Sequence, residues 1–124
     1  MMGEPRGNTG IENTLIGAQK VEDDRITINT YPKNFRPKFS IVMPVHNEEG
    51  SILGVVKDVH NKLSKNQDLP IEIVLAEDGS SDNTKQVIIQ LSKEIPLKAV
   101  LFNKRKGYAG GIKEGLKLVS SPYV

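Results

Sequence analysis

From Phe39 onward, short apolar runs alternate with helical stripes at a spacing that leaves few folds open. Phe39-Ser-Ile-Val-Met43 is an apolar run stopped by Pro44, the pattern of a buried strand. Ile52, Val55, Val56, Val59 and Leu63 then fall at i, i+3, i+4, i+7 and i+11, one face of a helix. After a turn over 66–70, Ile71-Glu-Ile-Val-Leu-Ala76 makes a second strand, and Val87, Ile88, Leu91 and Ile95 a second stripe. Ser81 or Asp82 is the N-cap candidate of that helix. Leu97–Phe102 is a third strand, followed by a glycine-studded loop and a third stripe of Ile112, Leu116 and Val119. Pro122-Tyr-Val124 reads as the approach to a fourth strand. This β-α-β-α-β-α order predicts an α/β fold of parallel strands joined by right-handed helical crossovers.

In open sheets of this kind ligands bind at the carboxyl ends of the strands. The loops expected there are 44–50, 76–84 and 103–111, and they hold most of the polar, charged and glycine residues of the regular region. Residues 1–38 read differently. They carry Gly3, Gly7, Gly10, Gly17, Pro5, Pro32 and Pro37 and charge without period, as a loose and partly disordered extension would. Within them Arg25-Ile-Thr-Ile-Asn-Thr-Tyr31 alternates as an edge strand does.

Composition removes several function classes. Seventeen basic against 15 acidic residues give a net charge of +2, with no nucleic-acid footprint. The chain has no cysteine, so disulfides, a thiol nucleophile and Cys-ligated metal are excluded. No run reaches the ~20 apolar residues of a membrane-spanning helix, and Met1–Lys20 holds no apolar signal core. A cytoplasmic location is expected, with membrane association left open for the full-length protein.

The loops narrow the chemistry further. A dinucleotide fold would place G-x-G-x-x-G after the first strand, but Pro44-Val-His-Asn-Glu-Glu-Gly50 stands there. No P-loop is present either. Glu77-Asp78, directly after an apolar strand, can accept charge-assisted hydrogen bonds from a base or ribose; the plainer reading is a solvated strand end. Lys104, Arg105 and Lys106 sit at the expected start of the third helix, where cations and the helix dipole favour an anion such as a diphosphate. Here the plainer reading is a solvated basic loop. An acidic loop and a basic loop on one sheet edge together fit a nucleoside diphosphate.

Three blocks, Ser40-Ile-Val-Met-Pro-Val-His-Asn-Glu-Glu49, Ile73-Val-Leu-Ala-Glu-Asp-Gly-Ser-Ser-Asp-Asn-Thr84 and Asn103–Gly111, resemble the opening of the inverting family 2 glycosyltransferases. Asn-Glu-Glu after the first strand is closest in character to the dolichyl- or polyprenyl-phosphate sugar transferases. The resemblance covers 39–124 and implies the GT-A fold, in which a Rossmann-like nucleotide-binding half is joined to an acceptor half. It implies a UDP- or GDP-linked sugar donor, an acceptor such as a lipid phosphate, and Mg2+ or Mn2+ across the diphosphate. It also assigns residues. Pro44, His46 and Glu48 line the base and ribose pocket, with His46 where the family has an aromatic Tyr. Asp78 reads the base, and Glu77 takes the first place of the family's Asp-Asp pair. Lys106 lies near the diphosphate, and Gly107 and Gly111 permit close backbone approach.

The family's Asp-x-Asp metal ligands follow the next strand, so the resemblance places no metal ligand and no catalytic residue within this chain. It is expected to be a fragment truncated after about three β-α units and inactive alone. A three-stranded half sheet exposes an edge, so self-association is expected as well. Two other readings remain at this point: a nucleotide-binding fragment without turnover, and a receiver-like regulatory module using Glu77-Asp78. The second would want a phosphorylatable Asp at the third strand end, where Asn103-Lys-Arg-Lys106 stands.

Overall fold

The computed structural model describes residues 19–66 and 68–124. The elements are β1 (Gln19–Val21), β2 (Arg25–Asn29), β3 (Phe39–Val45), α1 (Ile52–Leu63), β4 (Ile71–Glu77), α2 (Thr84–Ser92), β5 (Lys98–Phe102) and α3 (Tyr108–Leu116). They form one five-stranded sheet in the order β1-β2-β5-β4-β3. The three strands of the β-α repeat, β3, β4 and β5, pair in parallel as expected. β1 and β2 add an antiparallel hairpin to the outer side of β5.

That hairpin changes the reading of the N-terminal segment. Arg25–Asn29 is an inner strand between β1 and β5, not an edge. Its alternation sends Ile26 and Ile28 into the main core, with Ile28 fully buried, while Arg25 lies over the Phe102 ring on the other face, 4.8 Å from its centroid. From Gln19 on, the chain therefore belongs to the sheet. Of the loose, partly disordered extension expected over 1–38, residues 19–38 are placed against the sheet, and 1–18 lie outside the described residues. The premise of a three-stranded half sheet also changes, because β5 is covered and the outermost strands are β1 and β3.

The two faces of the sheet pack differently. α1 and α2 cover one face over a core of Val45, Ile52, Val56, Ile73, Leu75, Ile88, Leu91, Leu97, Ala99 and Leu101. Of the α1 stripe, Ile52 and Val56 are buried, Val59 and Leu63 pack against the core, and Val55 is exposed. α3 covers the other face, above Ala76, Val100 and Phe102. Its buried residues are Gly111 and Gly115, and Leu116 is exposed. A Cβ on Gly115 would stand 3.1 Å from Ala76 Cβ and 3.3 Å from Val42 Cγ1. Small residues, rather than the expected apolar stripe, set the approach of this helix to the sheet.

Two polar devices complete the sheet away from the cleft. β4 pairs with β5 only from Val74, and the orphan Ile73 N–H donates to the Tyr31 hydroxyl at 2.7 Å instead. Burial pushes the Tyr31 phenol up to about 12. On the α3 face, buried Glu72 meets the buried Lys98 ammonium at 2.8 Å. Glu72 also accepts from Ser40 Oγ, Ser120 N–H and Ser120 Oγ. This cluster holds the chain after α3, where Tyr123 makes a parallel bridge to Phe39 and its carbonyl accepts from Ser40 N–H at 2.9 Å. The approach to a further strand is thus laid along β3.

Candidate functional site

The carboxyl ends of β3, β4 and β5 carry the loops 46–51, 78–83 and 103–107, which enclose a cleft of about 220 Å³. Its walls come from Pro44 at the end of β3, His46 and Glu48 on the first loop, Asp78 on the second, and Arg105, Tyr108 and Gly111 at the third loop and the start of α3.

The first two loops hold each other. Asn47 adopts φ 52°, the left-handed region that a short amide side chain tolerates better than most. From there its Oδ1 accepts from Ser81 N–H at 2.9 Å, while its own N–H donates to Ser80 Oγ at 2.9 Å. Glu48 N–H donates to Thr84 Oγ1 at 2.8 Å, and Glu49 Oε1 accepts from Asn83 N–H at 3.2 Å. The Glu48 carboxylate accepts from Ser51 Oγ at 2.6 Å, so it lies across the start of α1, where the helix dipole favours it. Asp82 accepts from Thr84 N–H at 2.9 Å at the start of α2, whose cap position is Asn83.

Strand alternation separates the two carboxylates that the sequence pairs. Glu77 continues the parity of Ile73 and Leu75 and points to the α1/α2 face; Asp78 points to the α3 face, beside Gly111. Glu77 is fully buried and does not line the cleft. Its Oε1 accepts from Phe102 N–H at 3.2 Å and lies 3.6 Å from the Lys85 ammonium, and its Oε2 accepts from Ser80 N–H. Those bonds join the end of β5 to the second loop. Burial on a side away from the cleft is the physical reason Glu77 is placed as a brace and not as a ligand contact.

Asp78 lies at the cleft floor. Its Oδ1 accepts from Lys106 N–H, and Oδ2 lies 3.4 Å from both Arg105 Nε and Nη2. Its carbonyl accepts from His46 Nδ1 at 2.9 Å. A carbonyl only accepts, so Nδ1 carries the proton.

The cationic side chain at the cleft is Arg105, not Lys106. Lys106 contributes its backbone, while its ammonium turns outward to Asp24 at 3.2 Å and lies 5.3 Å from the Phe102 ring centroid. Gly107, at φ 83°, caps α3 in open space. The tightest approach within the protein is at Gly79, where a Cβ would lie 2.6 Å from both Arg105 N and Lys104 C. Sequence reasoning missed Asn47 and Tyr108 as site residues and named Arg105 only among three loop cations. Asn47 carried a signal in its tolerance of the left-handed region; an aromatic set directly after Gly107 was the signal for Tyr108.

Among the described residues, no three His, Asp or Glu side chains come together as a cation site would require. The Asp78, Glu48 and Glu77 carboxylates are each directed to other donors. These residues do not fit a divalent metal.

Comparison with known proteins agrees with this geometry. The profile of glycosyl transferase family 2 matches residues 40–124. The dolichyl-phosphate beta-glucosyltransferase of Saccharomyces cerevisiae is 30% identical over 90 residues, 68% of this chain and 27% of that protein. The undecaprenyl-phosphate 4-deoxy-4-formamido-L-arabinose transferase of Yersinia enterocolitica is 35% identical over 89 residues, 70% of this chain and 27% of that protein. The dolichol-phosphate mannosyltransferase of Pyrococcus furiosus is 31% identical over 83 residues, 67% of this chain and 23% of that protein. The matched segment is therefore less than a third of each of these relatives. Its strand order, loop placement and matched span make this chain a member of glycosyl transferase family 2.

Proposed function

We propose that this chain forms the donor-nucleotide half of a glycosyltransferase that takes a UDP- or GDP-linked sugar and passes the sugar to a lipid phosphate with inversion. The observation that carries the reading is the meeting of Asp78, His46 and Arg105 in one cleft at the carboxyl ends of three parallel strands. The Asp78 carboxylate suits the N–H donors of a base. Arg105, beside the N-terminus of α3, suits a diphosphate. His46 and the exposed Tyr108 ring offer surfaces against a base or ribose. The names of the three relatives support a polyprenyl-phosphate acceptor. Such an acceptor is already anionic and needs little help from a general base. It would also bring the reaction to a membrane surface; among the described residues no helix is long and apolar enough to cross one. The family's Mg2+ or Mn2+ would stabilise charge on the leaving diphosphate, held by ligands other than Glu48, Glu77 and Asp78. Family membership displaces the receiver-like reading.

Thermal unfolding of the full chain with UDP or GDP, each with and without Mn2+, tests the proposal. At a ligand concentration 100-fold above Kd, binding to the folded state alone adds about 2.7 kcal/mol. One of the two diphosphates should raise the midpoint of the wild type and leave that of Asp78→Ala unmoved. If neither diphosphate moves the wild type, the nucleotide reading fails.

A further inference from the structure

The β1–β2 hairpin precedes the segment matched by the family profile, yet its tip reaches the nucleotide-side end of the sheet. Because β2 runs antiparallel to β5, with Arg25 opposite Phe102, the turn Glu22-Asp23-Asp24 lies beside the loop that follows β5. The backbone joins them: Asn103 N–H donates to the Asp24 carbonyl, and Asn103 Nδ2 to the Asp23 carbonyl, each at 2.9 Å. Arg25 ties the same tip to α3. It holds Asp24 Oδ1 through Nε at 3.0 Å, bonds Glu114 through Nη1 and covers the Phe102 ring.

Lys106 stands between the two structures. Its backbone N–H is fixed on Asp78 at the cleft floor, while its ammonium rests on Asp24 at 3.2 Å. The Asp24–Lys106 pair is half exposed, and such pairs hold weakly. A lysine stem has four rotatable carbons, and a diphosphate offers more negative charge than one carboxylate. The side chain therefore has two competing anions within its reach, one built into the hairpin and one supplied by the ligand.

We infer that Asp24 is an affinity-setting residue of the nucleotide site: it holds the Lys106 ammonium off the cleft, and a nucleoside diphosphate must win that ammonium from the hairpin. This rests on the nucleotide reading above and adds to it a segment outside the family match. Arg25 holds Asp24 in place, and the Asn103 bonds keep the tip against the loop; both act on position and touch no ligand.

The test is a double-mutant cycle read by calorimetric titration of the full chain with whichever of UDP and GDP binds the wild type. Asp24→Asn keeps the size of the side chain and removes its charge. It should tighten binding by about fivefold, the factor equivalent to a surface ion pair at the upper end of its usual range. Lys106→Ala should weaken binding. In the Lys106→Ala background Asp24→Asn should change affinity less than twofold, because no ammonium is left to release. The gain should also shrink at 1 M salt, where the screening length is about 3 Å. An unchanged or weaker Kd in Asp24→Asn, with the wild type still binding, overturns the inference and leaves the nucleotide reading intact. An equal gain with and without Lys106 overturns it too, since the effect would then be general charge repulsion. No binding by the wild type overturns both. Unfolding curves of each variant show that the hairpin remains in place.

Discussion

Replacing Lys98 by methionine is expected to cost the fold about 3–5 kcal/mol, the usual penalty for leaving one buried charge without its partner. The ammonium is almost wholly enclosed, and it lies 2.8 Å from Glu72, 2.8 Å from the Leu118 carbonyl and 3.1 Å from Ser120 Oγ. Methionine fills similar space but leaves the Glu72 carboxylate buried on the remaining donors of Ser40 and Ser120. Against a typical total of about 5–15 kcal/mol, that loss takes much of the stability of a chain this size. Glu72→Gln in the Lys98→Met background removes the stranded charge and should recover most of it.

The dependence on pH separates this from a packing defect. In the wild type, burial pushes the Glu72 carboxyl up, but the Lys98 ammonium and the Ser40 and Ser120 donors outweigh it, and the group titrates below its ordinary 4.5. A depressed carboxyl contributes stability that is present above its unfolded value and lost as pH falls through the folded one. Without Lys98 the largest cause left is burial, which raises the group, so the variant regains stability as acid neutralises the carboxylate. The gap between wild type and Lys98→Met should therefore be widest near pH 7, narrow as pH falls toward about 4.5 and go on closing below it. Urea unfolding at several pH values measures it. A gap below about 1 kcal/mol at pH 7, of the size usual for an exposed pair, would mean that the pair is solvated and the buried network is not a clamp.

The residues involved explain how far the sequence could be read. β3, β4, β5 and the loops after them were legible because a parallel strand covered on both faces reads as an apolar run, and each run ends where polar residues begin. The hairpin was not. β1 is three residues with Val21 as its one apolar side chain, and its turn Glu22-Asp23-Asp24 has no glycine to mark it. Glu72 and Lys98 are single charges within otherwise apolar strands; in this sheet both faces are covered and the two charges meet beneath the chain that leaves α3. The α3 stripe misled because its contact face is built from Gly111 and Gly115, which hydrophobic periodicity does not register. At the site, position was legible and direction was not. Glu77 could have been assigned from its parity with Ile73 and Leu75 alone. Arg105 and Lys106, by contrast, are divided only by Asp24, a partner 82 residues away in sequence.

The largest effect expected at the site itself comes from one methyl group, in Gly79→Ala. Gly79 adopts φ 58°, and a Cβ there would stand 2.6 Å from Arg105 N, 2.6 Å from Lys104 C and 3.0 Å from Lys104 O. These are backbone atoms, so no side chain can rotate away to relieve the overlap. Left-handed backbone costs a residue with a Cβ about 1–2 kcal/mol, and overpacking adds about 1–3 kcal/mol. The loss of unfolded-state freedom offsets up to about 1 kcal/mol of that total. The strain is relieved by moving the 103–107 loop, which carries the Lys106 N–H bonded to Asp78 and the Arg105 side chain facing it. Gly79→Ala should thus lower stability by roughly 2–4 kcal/mol and weaken binding of the nucleoside diphosphate tenfold or more, about 1.4 kcal/mol or greater. Gly107→Ala is the matched control. Its φ of 83° makes a side chain strained, but no atom lies within 4 Å of the new Cβ, so it should cost about 1–3 kcal/mol of strain with a smaller change in affinity. Unfolding midpoints and titrations of the two variants side by side decide it. If Gly79→Ala stays within about 0.5 kcal/mol of wild type, the range of an unremarkable surface change, and binds as well, then the second and third loops do not meet at Gly79 and the cleft is not braced there.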